Sequence, residues 1–258
     1  MKAAKVGFIG GGRVTRILLE GWKRAQALPE AITISDPNID VLGYMKARFP
    51  AIHTTSDNRK AATQDIVFLA VHPPLMADMA AGLKNSLKPR ALVVSLAPKF
   101  TVARLTELLG GFARIARVIP NAPSVINVGY YPVAFGPALT TEDRAALTAL
   151  LTPLGECPEV AEEKLEAYAV LSAMGPTYLW FQLQALREVA AGFGLDDAEI
   201  APALKRTVCG ATRTLLESGL TPAEVLDLVP VKPLAEMETQ VGELYRTLLP
   251  AIYQKIKP

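Results

Sequence analysis

Cysteine is scarce, charge is nearly balanced and long apolar runs are missing, and each shortage removes a class of protein. Cys157 and Cys209 lie far apart without a second Cys two residues from either, which argues against a disulfide framework or a zinc site. Both are expected to be free, buried thiols, and no metal is expected. The net charge is only +2, and Lys and Arg are scattered through helical patterns. Without a basic run, a nucleic-acid partner is not indicated. No apolar stretch approaches the ~20 residues that span a membrane. The opening Met1-Lys2-Ala3-Ala4-Lys5 passes into a strand-like run with no signal-peptide core, so a cytoplasmic location and no membrane partner are expected.

What remains is a chain of 258 residues, 50% hydrophobic and 20% charged, enough to bury a large core in one or two domains. Val6-Gly7-Phe8-Ile9 is an apolar run that stops at Gly10-Gly11-Gly12, after which Ile17, Leu18, Leu19 and Trp22 recur at helical spacing. That is strand, tight turn, helix. Further strands are expected at 31–35, 65–71, 91–96 and 115–119, each separated from the next by helix-like sequence such as Leu42 to Phe49. Continuous apolar strands alternating with helices imply a parallel sheet covered on both faces. Past Leu154-Gly155-Glu156-Cys157-Pro158 the strand signals stop. Helices are expected over 169–192, 197–218 and 236–255, with Thr221-Pro222 opening a short fourth. The expected architecture is α/β, a doubly wound parallel sheet in residues 1–157, followed by an all-α domain in 158–258.

Gly10 and Gly12 occupy the first two positions of G-x-G-x-x-G in the strand-to-helix setting that gives the pattern meaning. The first glycine permits the turn, the second lets a pyrophosphate approach the main chain, and the helix start offers N–H groups to the anion. The third glycine is replaced by Thr15, whose bulk falls where helix and sheet should lie close. Asp36 ends the second strand about twenty residues on, the spacing of a carboxylate that accepts from the adenosine ribose and repels a 2′-phosphate. Asp36 could instead simply start the turn with Pro37. Arg13 or Arg48 could neutralise a phosphate, so NAD and NADP both stand, with NAD slightly favoured.

Several short motifs then occur in the order and spacing of pyrroline-5-carboxylate reductases. Val6 to Thr15 resembles that family's G-x-G-N-M-A turn, Thr55-Ser56-Asp57-Asn58 its adenosine-side segment, and Ala70-Val71-His72-Pro73 its A-V-K-P. Arg117-Val118-Ile119-Pro120-Asn121-Ala122-Pro123 is similar to R-V-M-P-N-T-P. Leu171-Ser172-Ala173-Met174-Gly175-Pro176-Thr177-Tyr178 is similar to L-S-G-S-G-P-A-Y, and Thr207-Val208-Cys209-Gly210-Ala211 to T-x-x-G-A. The resemblance covers nearly the whole chain. It implies a Rossmann fold, hydride transfer from a nicotinamide to a cyclic imine, a place in proline biosynthesis, and a homodimer whose helical domains interlock. It also implies cofactor contacts at Arg13, Val14, Asn58, Ala70, Val71, His72 and Pro73, beside Gly10, Gly12 and Asp36.

The departures cluster on the substrate side. Where the family has a glycine-rich S-P-G-G-T-T segment for the substrate carboxylate, this chain has Pro230-Val231-Lys232-Pro233-Leu234-Ala235-Glu236. Prolines remove N–H donors and fix the chain, so an anion nest is hard to build there. Glu236 would repel a carboxylate unless Lys232 compensates. Met174 stands for a serine, Arg206 for a glutamine, and Pro98-Lys99 for an alanine-glycine pair.

By resemblance Thr207 supplies a substrate-side hydrogen bond, with back-bonding to its own helix as the other reading. Glu236 is assigned with it to catalysis, and Asn121, Ser172 and Lys232 to substrate binding. Asn121 could equally be a turn residue between prolines, Ser172 a helix cap, and His72 a strand-end histidine without a task. Glu162 and Glu163 read as solvated charges at a helix start, and Tyr178, Trp180, Phe181 and Leu183 as packing or dimer interface. The expected function is an NAD(P)H-dependent reductase of a cyclic imine. The alternatives are a catalytically altered dinucleotide-binding or regulatory dimer, or a reductase of another imine or carbonyl.

Overall fold

The computed structural model describes residues 4–258, so Met1, Lys2 and Ala3 of the opening segment lie outside them. The strands are β1 (Val6–Ile9), β2 (Ile32–Ser35), β3 (His53–Thr55), β4 (Ile66–Leu69), β5 (Leu92–Ser95), β6 (Ile115–Val118), β7 (Gly129–Tyr130), β8 (Val133–Phe135) and β9 (Gly155–Glu156). Among the described residues the main sheet runs β3-β2-β1-β4-β5-β6-β8. Every pair in it is parallel except β6 with β8. β1, β4, β5 and β6 are buried along their whole length, which is why they read as apolar runs, with Arg117 as the one charge buried among them.

Helices α1 (Arg13–Arg24), α2 (Ile39–Arg48), α3 (Asn58–Ala62), α4 (Met76–Leu83), α5 (Val102–Leu108) and α6 (Thr141–Leu151) cover the two faces. On one face Phe8 stacks on Phe68 with centroids 4.8 Å apart, and Trp22 of α1 packs beside them. The Trp22 indole donates to the Leu150 carbonyl at 2.7 Å, so its single polar atom is satisfied in the core. On the other face Ile9, Val67 and Leu69 meet Leu83 and Leu105.

Among the described residues, 4–174 with 252–258 form one compact unit, and Gly175–Ala251 a second. The change from strands to helices anticipated at 157/158 precedes this division, because α7 (Leu165–Tyr168) and a π-helical turn, Ala169–Ala173, still belong with the sheet. The second unit holds α8 (Gly175–Gly192), α9 (Asp197–Glu217), α10 (Pro222–Asp227) and most of α11 (Ala235–Ile256).

Four expectations are corrected. The short strands β3, β7, β8 and β9 were not anticipated, because two or three residues carry no periodicity and are held by their neighbours. Thr15 is fully buried, and its hydroxyl donates to the Gly10 carbonyl at 2.6 Å, so the bulk is accommodated. Cys209 is exposed, and only Cys157 is even partly covered. Glu162 is not a simply solvated charge, since its Oε1 accepts from the Val102 N–H and from Arg117.

Candidate functional site

The chain leaves β1 toward β2 and β3 on one side, then crosses to β4 on the other. Between the carboxyl ends of β1 and β4 the strand order reverses, and open α/β sheets bind ligands in the crevice this creates. Gly10 to Val14 follow β1, and Ala70 to Pro73 follow β4. The sheet therefore brings the two segments to one place, and Ala70 N–H donates to the Ile9 carbonyl at 2.8 Å across it.

The two fingerprint glycines are glycines for different reasons. Gly10 has φ +105°, and a β-carbon there would lie 2.4 Å from the Ala70 carbonyl oxygen. The fold itself requires it. Gly12 has φ −72° and a β-carbon there would meet nothing within 4 Å, so the fold places no demand on it. A missing side chain facing open space beside a helix start is what a phosphate group approaching the backbone needs. The helix caps agree. Asn38, Asp57, Thr101 and Thr140 cap α2, α3, α5 and α6 with side-chain acceptors, and α4 and α7, which have no such cap, continue from 3-10 turns, whereas α1 starts directly from the glycine turn with no side chain capping it. No acidic residue lies in its first turn, and Lys23 and Arg24 lie in its last. The positive end of the helix dipole is thus left for an anion.

Asp36 is only partly exposed. Its Oδ2 accepts from the Gly11 N–H at 2.8 Å and its Oδ1 from the Asn38 N–H at 2.9 Å. It therefore pins the glycine turn to the end of β2 and starts its own turn as well. A carboxylate oxygen has more than one acceptor site, so these bonds leave room for a ribose hydroxyl.

Two adjoining clefts share Gly12, Arg13 and His72. The first, about 450 Å³, is lined on its outer side by Arg16, Asp40, Val41 and Tyr44. The second, about 270 Å³, runs between Val14, Ala70, Val71 and Pro73 and the turn Leu96, Ala97 and Pro98 after β5. His72 is exposed at their junction. Arg48, considered above as a phosphate partner, is committed elsewhere: it pairs with Glu20 at 2.6 Å and holds that carboxyl below its ordinary pKa. Arg16 lines the first cleft, its guanidinium 5.8 Å from the Tyr44 ring centroid in a cation–π contact. Sequence reading missed Arg16 and Tyr44. Helical spacing from Arg13 would have put Arg16 on the same face one turn later. Asn58 opens α3 beyond β3, the strand beside β2.

The substrate-side candidates are spread over both units. Asn121 is 5% exposed and donates through Nδ2 to the Ser172 carbonyl at 2.6 Å. Ser172 sits inside the π-helical turn and its hydroxyl donates to the Tyr168 carbonyl at 2.7 Å. It is therefore not a cap for α8. These two residues are brought together by one bond, from the Asn121 side chain to the Ser172 main chain, while the Ser172 hydroxyl turns to its own helix. Thr207 is exposed on α9, Lys232 in the segment before α11, and Glu236 in the first turn of α11. Among the described residues no cluster of His, Cys, Asp and Glu has the makings of a metal site, and no helix is long and apolar enough to cross a membrane.

Residues 5–99 match the family model described as NADP oxidoreductase, coenzyme F420-dependent. The pyrroline-5-carboxylate reductase of Escherichia coli K12 is 29% identical over 226 residues, 87% of this chain and 84% of that protein. That of Methanosarcina acetivorans is 29% identical over 231 residues, 89% and 85% of the two chains. Among solved structures, a pyrroline-5-carboxylate reductase from Coxiella burnetii superposes with a TM-score of 0.72 at 26% identity, covering 99% of this chain and 96% of that one. The Plasmodium falciparum pyrroline carboxylate reductase, solved with NADP bound, shares the fold at a TM-score of 0.83 and 20% identity, covering 100% and 98%.

Proposed function

We propose that the chain, similar over most of its length to pyrroline-5-carboxylate reductases, is an NAD(P)H-dependent reductase of that type, acting on a cyclic imino acid, pyrroline-5-carboxylate or a close relative. The observation that carries the reading is Gly12, where the fold asks for no glycine and open space lies over an uncapped helix start. The pyrophosphate is assigned to the amides from Gly10 to Val14, and the adenosine end to the cleft of Gly11, Arg16 and Tyr44, with Asp36 next to it through its bond to the Gly11 N–H. The nicotinamide end is assigned to the cleft between Ala70–Pro73 and Leu96–Pro98.

When bound, the reduced nicotinamide supplies a hydride to the carbon of the C=N bond, and the nitrogen takes up a proton. The protein's part is to hold the acceptor against one face of the ring, exclude water and bind the charged groups of the substrate. Asn121 and Ser172 are proposed as a rigid part of that environment. Thr207 is proposed to hydrogen-bond the imine nitrogen, and Lys232 to pair with the carboxylate. Glu236 sets the local charge. Turnover is followed by nicotinamide absorbance with purified protein, pyrroline-5-carboxylate and each cofactor. Oxidation above background is expected, and its absence with both cofactors would remove the substrate assignment.

A second reading is a dinucleotide-binding dimer that no longer reduces this substrate. Pro230 and Pro233, which cannot donate from their backbone, stand where the resemblance calls for an anion nest. Cofactor binding without turnover across a panel of imines and carbonyls would favour it.

The assembly is proposed to be a homodimer through the helical unit. Within residues 175–251 only Ile200 is buried, while Leu179, Trp180, Phe181, Leu244 and Leu248 are each about half exposed or more. Helices with so little core of their own are stabilised by a large apolar interface.

A further inference from the structure

The dinucleotide reading leaves one feature of the sheet unit unused. Arg117 on β6 and Glu166 on α7 are both 1% exposed and paired, Nη2 to Oε1. Arg117 Nη1 also donates to Glu162 Oε1 at 3.0 Å. Burying such charges is costly, and apolar residues of similar volume often serve a core as well or better. The arrangement therefore calls for a purpose beyond packing.

Each carboxylate oxygen that faces Arg117 also accepts a main-chain amide. Glu166 Oε1 takes the Lys99 N–H at 3.0 Å, and Glu162 Oε1 the Val102 N–H at 2.7 Å. These amides lie in the turn that leaves β5 and at the first residue of α5. The same turn supplies Leu96, Ala97 and Pro98 to the wall of the inner cleft. Lys99 has φ +80°, the left-handed region where a β-carbon is strained and which glycine adopts freely. A strained residue stays in such a conformation only when its surroundings hold it there.

We propose that Arg117, Glu162 and Glu166 are positioning residues that clamp the strained Lys99 turn and so shape one wall of the cofactor cleft. Arg117 fixes the two carboxylates, and they fix the turn through its backbone. The clamp is needed because residue 99 carries a side chain. The inference rests on the dinucleotide reading of the cleft.

The test is a cycle of Glu166→Gln, Lys99→Gly and the double variant, read as the Kd for NADPH by calorimetry on the full chain. Glu166→Gln leaves a neutral oxygen in place of the carboxylate, so its bonds to Arg117 and to the Lys99 N–H lose their charge assistance, and binding is expected to weaken about tenfold. Lys99→Gly alone should stay within about twofold of wild type, and the double variant should recover most of the loss, since glycine needs no clamp. A purely structural carboxylate would not be rescued in affinity by a glycine at residue 99. Wild-type affinity in folded Glu166→Gln, or a double variant as weak as the single, would overturn the clamp. Should Glu166→Gln fail to fold, Arg117→Met with Glu166→Leu removes the acceptor altogether and leaves no fully buried charge unpaired, since Glu162 is one-third exposed and keeps the Val102 N–H. The same weakening and rescue are expected of that pair, and their absence overturns the proposal. No NADPH binding by the wild-type chain would overturn the cleft reading and the clamp together, whereas wild-type binding with unaffected variants overturns the clamp alone.

Discussion

Gly10 and Gly12 stand two residues apart, and substitution should separate them. Gly10→Ala would force a β-carbon to within 2.4 Å of the Ala70 carbonyl oxygen at φ +105°. It should cost at least about 2 kcal/mol of stability, measurable by chemical denaturation. Asp36 poses a question of charge. Its bonds to the Gly11 and Asn38 amides serve either cofactor, but only a 2′-phosphate feels its negative charge. Asp36→Asn should therefore shift the NADPH to NADH ratio of kcat/KM toward NADPH by about tenfold. An unchanged ratio would mean that the carboxylate only shapes the turn. Asp36 was legible in the sequence because its spacing from the glycines has a mechanism behind it. Glu166 and Lys99 were not. A carboxylate whose partners lie 49 and 67 residues away leaves no local signal, and a lysine gives no warning of a positive φ.

Elements were legible in proportion to their length and burial. The buried parallel strands appeared as apolar runs, and α9 began where Asp196 and Glu199 form a capping box. The edge strand β8 and the pair β7 with β9 were invisible, since their pairing is decided by the chain around them. The π-helical turn at 169–173 was read as the start of a long helix, because nothing in its residues announces the extra one in the turn. Just beyond β9, burial raises the Cys157 thiol to about 11. A folded pKa above the unfolded value means that the protonated thiol's contribution is fully present below about pH 8.5. That contribution fades as pH climbs toward 11. Alkylation at pH 8 read by mass spectrometry should thus leave Cys157 unlabelled in the native protein and labelled once it is unfolded. Native labelling would contradict this burial.

At the scale of the molecule, the sheet unit carries nearly all of the core and the helical unit almost none. Light scattering after size exclusion should give twice the chain mass. Trp180→Glu with Phe181→Glu, on residues 54% and 67% exposed, should shift it to the monomer. A wild-type monomer would contradict the dimer. The substrate half stays the least legible part, since Thr207, Lys232 and Glu236 are exposed on the helical unit, and surface position alone assigns no chemistry. The proposed redox function depends on the bend after β1 gripping a diphosphate. It is tested most directly by titrating NADPH and NADH into the wild-type chain and Gly12→Ala, with melting curves for both. One cofactor bound per wild-type chain is expected, with binding weakened at least about tenfold in a Gly12→Ala variant that melts where the wild type does. Folded wild-type protein that takes up neither cofactor, or Gly12→Ala that binds as tightly as wild type, would contradict it.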